Sequence, residues 1–453
     1  MGEEINSKKK TNLRAVQVLA IGFILLILIG GVILSLPISS VDGKPTNLLD
    51  SIFTATSAVC VTGLVVVDTG THWNLFGQII ILLLIQIGAL GFMSFTTMLA
   101  IIMGKKITLR NRLIVQEAMN AFDIQGLVKM VKHVVGFTFF VEICGAIVLS
   151  TQFIPQYGII KGIYYGIFHS VTAFCNAGFD IIGNYTSFTA YGHNTIILLT
   201  LAGLLIIGGL GFAVWLDIYH VKKAKRLSVH SKVVITTTIS LLVVSTFIFL
   251  ALEYSNDQTL GIFNFKDKIV NAFFASASPR TAGFNSISID GMTDGSKLFS
   301  VALMFIGGSP GSTAGGVKTS TITIMILTVI SVIKGREDTE VFGRRIEKDL
   351  VYKALVLFFM AFLMVLTVTM ILTITEPKEN FINLLYEAAS ALGTAGLTTG
   401  VTQRLTTVGK VLIMINMYLG RVGLLTVATA LTSNRKGKKG EKYKYPSGKI
   451  LIG

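Results

Sequence analysis

Four short segments of the chain repeat one pattern. They read FTATSAVCVTGL at Phe53–Leu64, FHSVTAFCNAGF at Phe168–Phe179, FFASASPRTAGF at Phe273–Phe284 and YEAASALGTAGL at Tyr386–Leu397. Each has an aromatic residue ten positions before a shared glycine and Leu or Phe directly after that glycine. The glycines are Gly63, Gly178, Gly283 and Gly396, separated by 115, 105 and 113 residues. Four matches at a nearly constant spacing predict four tandem structural repeats rather than chance similarity.

The composition of the chain is that of an integral membrane protein. Its 453 residues are 52% hydrophobic and 14% charged, with a mean hydropathy of +0.71, which is too apolar for ordinary soluble domains. Apolar runs of the length that crosses a bilayer predict eight spans, at 15–36, 79–103, 134–154, 196–218, 233–252, 298–333, 354–374 and 411–431. We expect a glycine-rich break only in the sixth span, and we interpret the first as a retained helix rather than a signal peptide.

The basic residues predict the orientation of the chain. Most of the 39 Lys and Arg lie in the N-terminus 1–14, in three loops and in the tail 433–453, all on one side of the predicted spans. The positive-inside rule places this side, and both termini, in the cytoplasm of a multi-pass cell-membrane protein. These charges are split among short loops, which excludes a nucleic-acid interface. The basic tail could meet anionic lipid, a partner or a neighbouring subunit.

The segment before each repeated glycine is only long enough to cross half of the bilayer, so the chain must turn back. Non-helical backbone at membrane depth is tolerated only where it lines water or is buried in protein. The sequence therefore predicts an all-α membrane protein with four helix–pore loop–helix repeats around one central pore. The predicted repeats are 15–103, 133–220, 232–333 with a broken second helix, and 352–432.

The repeated glycines predict a cation filter made of backbone carbonyls. Each half-helix directs its partially negative C-terminal end towards the membrane centre, and glycine allows conformations that turn successive carbonyls to the pore axis. The filter is predicted at Val61, Thr62, Gly63, Asn176, Ala177, Gly178, Thr281, Ala282, Gly283, Thr394, Ala395 and Gly396. The only metal ion we expect here is the permeant K⁺, bound without reactive side chains.

The break in the sixth span allows three interpretations: a mobile loop that gates the pore, a passive kink, or a phosphate-binding loop. The last is disfavoured because Val317 separates Gly316 from Lys318, which spoils the nucleotide motif, and no strand precedes it. Arg421 lies in the last span beside the expected axis, where it could pair with this loop, set an electrostatic barrier or satisfy carbonyls. The predicted gate comprises Gly307, Gly308, Ser309, Pro310, Gly311, Ser312, Thr313, Ala314, Gly315, Gly316, Lys318 and Arg421.

Two further charged residues need an explanation. Arg280, three positions before Gly283, would repel a cation on the axis, so we expect it to point behind the filter towards carbonyls or a carboxylate. Glu142 in the third span is expected to form structural hydrogen bonds.

The sequence has no metal-ligand spacing and no nucleophile motif, so an enzyme is not expected. A less selective or sodium-conducting channel and an alternating-access transporter are the alternatives, although four repeats of one orientation disfavour the latter.

The four filter segments and the broken sixth span resemble the Trk/Ktr/HKT superfamily of potassium transporters, and the length and short N-terminus look most like the membrane subunits of bacterial Ktr systems. The resemblance implies a homodimer with one pore per subunit, regulated by a cytosolic ring of nucleotide-binding RCK subunits that respond to ATP or ADP. It implies no nucleotide site in this chain. Glycine in all four filter segments implies potassium uptake down the electrochemical gradient, and the family's sodium dependence implies Na⁺ as an activator, for which the sequence shows no site.

Overall fold

The computed structural model describes residues 15–91, 127–224, 226–424 and 426–428. The predicted N-terminal segment 1–14 and basic tail 433–453 lie outside the described residues. So do the second half of the span predicted at 79–103, most of the following loop, and the last residues of the fourth repeat.

The described chain follows the predicted order of four repeats, each with an outer helix, a shorter pore helix and an inner helix. The outer helices are α1 (Ala15–Ser35), α4 (Leu127–Tyr157), α8 (Val229–Glu253) and α12 (Lys348–Thr375). The pore helices are α2 (Leu48–Val59), α5 (Ile159–Phe174), α9 (Phe265–Ala277) and α13 (Phe381–Gly393). The inner helices are α3 (Leu75–Leu90), α6 (Thr195–Gly209), α10 (Asp294–Phe305) and α14 (Thr407–Val422), with α7 (Phe212–Ala224) and α11 (Thr319–Ile333) continuing the second and third.

The remaining regular structure is short. A two-stranded hairpin, β1 (Glu340–Val341) and β2 (Arg344–Arg345), connects α11 to α12. Single 3₁₀ turns lie at Pro37–Ser39, Thr189–Tyr191 and Thr402–Arg404. The protein is therefore helical, as predicted.

The outer helices are the long ones. Among the described residues, four helices have the length and apolar composition to cross a bilayer, and they belong to α1, α4, α8 and α12; a fifth is obtained if α6 and α7 count as one bent span. The inner helices are shorter, and three of the four end near a glycine: α3 at Gly91, α6 before Gly211 and α14 at Gly423. These glycines have φ of 79°, 93° and 95°, a conformation that residues with a Cβ rarely adopt.

The expectation that only the sixth span is broken was wrong. The fourth span is bent by 92° between α6 and α7, and the reason is the glycine-rich loop of the third repeat. The amides of Ser309 and Thr313 donate to the carbonyls of Gly209 and Gly208, at 3.0 and 3.4 Å. The amide of Phe212, the first residue of α7, donates to the carbonyl of Gly311 at 2.8 Å. The hydrogen bonds lost at the break are thus partly replaced by bonds to this loop.

The repeats close into a ring. The inner helix of each repeat packs against the pore helix of the next, in the pairs α3 with α5, α6 with α9, α10 with α13 and α14 with α2. The aromatic residue of the repeated pattern holds the pore helix in the core: Phe53, Phe168 and Tyr386 are completely buried. In the third repeat Phe273 is half-buried, and its neighbour Phe274 is buried instead.

The start of each inner helix is tied to the region where the outer helix of its own repeat ends. Thr293, the N-cap of α10, donates its backbone N and Oγ1 to Glu253 at 3.0 and 2.8 Å. Thr406, the N-cap of α14, donates its backbone N and Oγ1 to Glu376 at 2.9 and 2.6 Å. In the first two repeats the N-cap residues are Asn74 and Asn194, which donate to the carbonyl of Ile38 and to Gln152. These links orient the chain that passes between them through the filter.

Candidate functional site

The filter segments of all four repeats share one backbone conformation. Positive φ angles recur two positions before the glycine, at 57° for Val61, 59° for Asn176, 74° for Thr281 and 49° for Thr394. The glycines themselves have φ of 97°, 68°, 76° and 79° in chain order. A left-handed conformation at Val or Thr costs energy and persists only where the surroundings impose it. The sequence predicted the need for glycine but gave no sign of this strain two residues earlier.

The four glycines form a closed ring of backbone contacts. A Cβ added to Gly63 would lie 2.5 Å from the carbonyl oxygen of Ala177, and one added to Gly178 would lie 2.9 Å from that of Ala282. One added to Gly283 would lie 3.3 Å from the oxygen of Ala395, and one on Gly396 would overlap that of Thr62. Each glycine therefore faces the carbonyl that precedes the glycine of the next repeat. The predicted filter residues come together, and side chains at the glycines would not fit.

The amides of the residues that carry these carbonyls already donate hydrogen bonds within the protein. The amides of Thr62, Ala177 and Ala395 each donate back to a pore-helix carbonyl five residues earlier, at 2.8 Å. In the third repeat the amide of Ala282 donates to Ser278 instead, four residues earlier, at 2.9 Å. This repeat differs because it contains Pro279 and Arg280 at the turn. The filter thus turns its amides towards the pore helices, which leaves carbonyls for an ion.

A vestibule of about 480 Å³ opens at one side of the ring and is lined by all four glycines and by Asp68, Asp180 and Asp290. Asp68 accepts from the amide of Thr71 at 2.8 Å and from the amide of Tyr185, in the second repeat, at 2.7 Å. Burial and the nearby Asp68 raise the pKa of Asp180 to about 7. Asp180 is therefore partly protonated near neutral pH, and the carboxylates of Asp68 and Asp290 give the vestibule a negative field that favours cations. These aspartates cannot be recognised from the sequence alone, because they belong to connections without a repeated pattern.

The loop of the third repeat lies directly below the filter. Beyond its bonds to α6, it closes on itself through the amide of Gly307, which donates to Val317 at 2.9 Å, and that of Thr319, which donates to Gly308 at 3.1 Å. A Cβ on Gly315 would overlap the side chain of Thr394, two positions before the fourth filter glycine. The loop is therefore packed against the fourth filter segment.

Arg421 fastens this loop to the first repeat. Its guanidinium donates to the carbonyl of Thr313 through Nη1 and, through Nη2, to those of Gly88 and Ala89 at 2.6 and 3.0 Å. The last two carbonyls belong to the C-terminal turn of α3, which has free acceptors and attracts a positive charge. The Nζ of Lys318 donates to the carbonyl of Ala314 at 2.7 Å within the loop. Of the roles considered for Arg421, the contacts match pairing with the loop and with carbonyls.

The other two charged residues lie behind the filter. Arg280 is buried, and its Nη2 lies 3.5 Å from Oγ1 of Thr238 on α8. Its partner is a hydroxyl rather than the carbonyl or carboxylate expected from the sequence. Glu142 on α4 accepts from Nε2 of Gln86 at 3.1 Å and contacts Sγ of Cys175 at 3.8 Å. It is buried next to the second filter segment, in agreement with the expected structural hydrogen bonds. Within the described ranges, no group of three or more His, Cys, Asp or Glu residues could hold a metal ion.

A ring of four filter segments fed by an acidic vestibule defines a membrane cation transporter. Residues 20–438 match the family model of TrkH, a cation transport protein, and the chain belongs to this family. It is 41% identical to the potassium/sodium uptake protein NtpJ of Enterococcus hirae, across 99% of both chains. It is 40% identical to the Ktr system potassium uptake protein B of Bacillus subtilis, across 96% of both. The crystal structure of the potassium transporter TrkH from Vibrio parahaemolyticus has the same fold, with a TM-score of 0.71 at 16% identity, covering 95% of this chain and 87% of that one.

Proposed function

We propose that this protein is the ion-translocating membrane subunit of a potassium uptake system. The single observation that carries the proposal is the closed ring of four glycines, each against a carbonyl of the next repeat. The relatives that are 41% and 40% identical are named for potassium/sodium uptake and potassium uptake. The chain acts as a transporter rather than as an enzyme.

In this mechanism the carbonyls of the filter replace the water shell of K⁺. The permeant ion meets the vestibule carboxylates first, loses water at the filter and binds to carbonyls that the pore helices hold in place. An inside-negative potential of ~100 mV contributes ~2.3 kcal/mol per monovalent cation. Voltage alone therefore drives accumulation, and this chain needs no ATP hydrolysis for the step.

The loop between Phe305 and Thr319 acts as the gate. It lies on the lower side of the filter and is held there by backbone bonds to α6 and by the three bonds of Arg421. The loop forms these bonds through backbone carbonyls and amides, so the bonds can be exchanged for water when the loop moves. The pore helices continue to support the filter segments when the loop moves.

Regulation comes from additional, cytosolic proteins. We infer a homodimer in the cell membrane, with both termini in the cytoplasm and a KtrA-like ring of nucleotide-binding RCK subunits on the cytosolic face that responds to ATP or ADP. Sodium acts as an activator. The support for this assembly is the 40% identity to the Ktr system potassium uptake protein of Bacillus subtilis.

A comparison of potassium uptake with sodium uptake tests the filter. The purified chain in proteoliposomes, and the same chain in bacteria that lack potassium uptake, should take up K⁺ or Rb⁺ in preference to Na⁺. Gly63→Ser should reduce that preference, because the added side chain meets the carbonyl of Ala177. Equal uptake of both ions by the wild type would instead support a potassium/sodium transporter, as the name of the Enterococcus hirae relative indicates. No cation uptake by the wild type would refute the proposal.

Removal of the Arg421 guanidinium tests the gate. Arg421→Ala should raise potassium flux in proteoliposomes without a regulatory subunit, since the guanidinium that joins the loop to the C-terminal turn of α3 is lost. Arg344→Ala is the control: Arg344 lies exposed on the hairpin strand β2 and should leave the flux at the wild-type value. Equal flux in wild type and Arg421→Ala, with both proteins folded, would contradict a gating loop.

A further inference from the structure

One side chain connects the loop to two filter segments. The side-chain Oδ1 of Asn176 accepts from Oγ1 of Thr313 in the loop at 3.2 Å. Its Nδ2 donates to Oγ1 of Thr281, in the third filter segment, at 3.3 Å. Asn176 itself belongs to the second filter segment and is buried, as are Thr313 and Thr281. A single carboxamide thus joins the second filter segment, the third filter segment and the loop.

The surroundings are shaped around this link. A Cβ on Gly208 at the end of α6 would lie 2.7 Å from Oδ1 of Asn176 and 2.9 Å from Oγ1 of Thr313, so a side chain there would push the two apart. The hydroxyl of Thr313 also lies 3.2 Å from the carbonyl of Phe174. The carbonyl of Thr313 accepts from Arg421. The residue that Arg421 holds is therefore the same residue that reaches the filter.

Only the second repeat has a carboxamide at this position. A carboxamide accepts through its oxygen and donates through its nitrogen, two separate atoms, whereas the equivalent residues are Val61, Thr281 and Thr394, of which each threonine has a single hydroxyl. Val61 has no polar side-chain atom, and Oγ1 of Thr394 is buried without a hydrogen-bond partner in the described structure. The residue two positions before the glycine therefore has the same backbone conformation in all four repeats, but only the second repeat has a carboxamide there.

We propose that Asn176 is a positioning residue that couples the loop to the filter, so that movement of the loop changes ion selectivity. The inference rests on the proposed roles of the filter and the loop. When the loop leaves, Oδ1 of Asn176 loses its donor in a buried site, which is costly unless the carboxamide turns towards another one. Turning breaks the bond to Thr281 and frees the second filter segment from the third. Coupling is reciprocal, so a filter in the linked conformation also favours the closed loop.

Two substitutions that remove one hydroxyl each test the coupling from its two ends. Thr313→Val removes the donor in the loop, and Thr281→Val removes the acceptor in the filter; both keep the shape of the side chain. Thr328→Val is the matched control, because its hydroxyl also makes two bonds, to Ile324 and Thr339 on the cytosolic side, and lies in neither element. Potassium and sodium fluxes would be measured separately in proteoliposomes of the full chain, without a regulatory subunit.

We expect each of the two variants to change both readouts. Loss of one hydrogen bond of ordinary strength corresponds to roughly a threefold to tenfold change, seen as a higher potassium flux and a lower ratio of potassium to sodium flux. The control should change neither. The double variant should do no more than the stronger single variant, because both break the same link. A structural role alone would lower the amount of folded protein without altering the ratio.

The inference is overturned if Thr313→Val changes only the flux and Thr281→Val only the ratio, or if their effects multiply. It is also overturned if both behave like the control while Arg421→Ala still raises the flux, and in that case the gate proposal survives. If Arg421→Ala has no effect either, the gate proposal fails with it. Asn176→Ala removes both hydrogen bonds of the link and should change the same two readouts. It also loses packing, so it supports the test but does not decide it.

Discussion

The filter and the region directly below it are built from the same four repeats, yet they differ in symmetry. In the filter, all four segments adopt positive φ at the same two positions and meet in a closed ring. Below it, α3, α6 and α14 end near a glycine, with α6 bending into α7, whereas the inner helix of the third repeat continues into the loop from Ile306 to Lys318 before α11 begins. An ion on an axis needs equivalent ligands from every side, but a single obstruction is enough to close a pore. The comparison shows which part of a repeat protein can diverge.

The largest effect is expected where the ring is tightest. Gly396→Ala would place a Cβ on the carbonyl of Thr62, at a φ of 79°. Strain and overpacking together cost about 3 kcal/mol, which corresponds to a loss of about 100-fold in potassium uptake. Uptake by cells, corrected for the amount of protein in the membrane, measures it.

The control for this change is Gly400→Ala. Gly400 has an equally positive φ of 85°, but its Cβ would meet the end of the Arg404 side chain, at 3.4 Å. A second contact, to Oε1 of Gln403 at 4.0 Å, is also to a side chain. Gly400→Ala carries the same backbone strain without the contact to a carbonyl of the ring, so its loss of uptake should be far smaller. If both variants lost uptake equally, backbone strain rather than the closed ring would explain the need for glycine at Gly396.

The next effect concerns the asymmetric region. Gly211→Ala should loosen the loop, because a Cβ at its φ of 93° would lie 2.7 Å from the carbonyl of Pro310. We expect potassium flux without a regulator to rise several-fold in proteoliposomes. Gly203→Ala on the same helix α6 is the control, since nothing lies within 4 Å of its Cβ and alanine favours a helix. A drop in flux for Gly211→Ala would mean that the bend shapes the pore instead of holding the loop closed.

The symmetric part of the molecule could be predicted from the sequence, and the asymmetric part only in outline. The aligned glycines predicted the four repeats and the residues that meet in the ring, because structurally equivalent positions carry similar residues. The bend at Gly211 was not predicted, since its cause is a set of backbone bonds to Ser309, Thr313 and Gly311, about a hundred residues away. Hydrogen bonds between backbone atoms do not require particular side chains, so the sequence does not reveal them. The link made by Asn176 was missed for a related reason: its partners are revealed only by the fold.

A smaller effect separates the repeats that use glutamate to anchor the inner helix. Glu253 is completely buried and accepts from Thr293, Thr259 and Asn256, whereas Glu376 accepts from Thr406. Hydrogen bonds to a charged group contribute about 1.5–3 kcal/mol. We therefore expect Glu253→Ala to lower the thermal stability of the detergent-solubilised protein more than Glu376→Ala. Equal losses would mean that the extra donors around Glu253 contribute nothing.

The smallest effect should come from the outer seam, where the fourth repeat meets the first. Nζ of Lys410 lies 2.7 Å from Oδ1 of Asp50, and the side chains are 16% and 19% exposed. Partial shielding from solvent makes this pair stronger than a surface pair, so Lys410→Ala should cost about 1 kcal/mol. The control is Arg336→Ala, whose pair with Glu340 has both side chains more than half exposed and should contribute close to nothing. If neither Lys410→Ala nor the control changed the melting temperature, the ion pair would not contribute to closing the ring of repeats. Closure would then depend on the packing of α14 against α2.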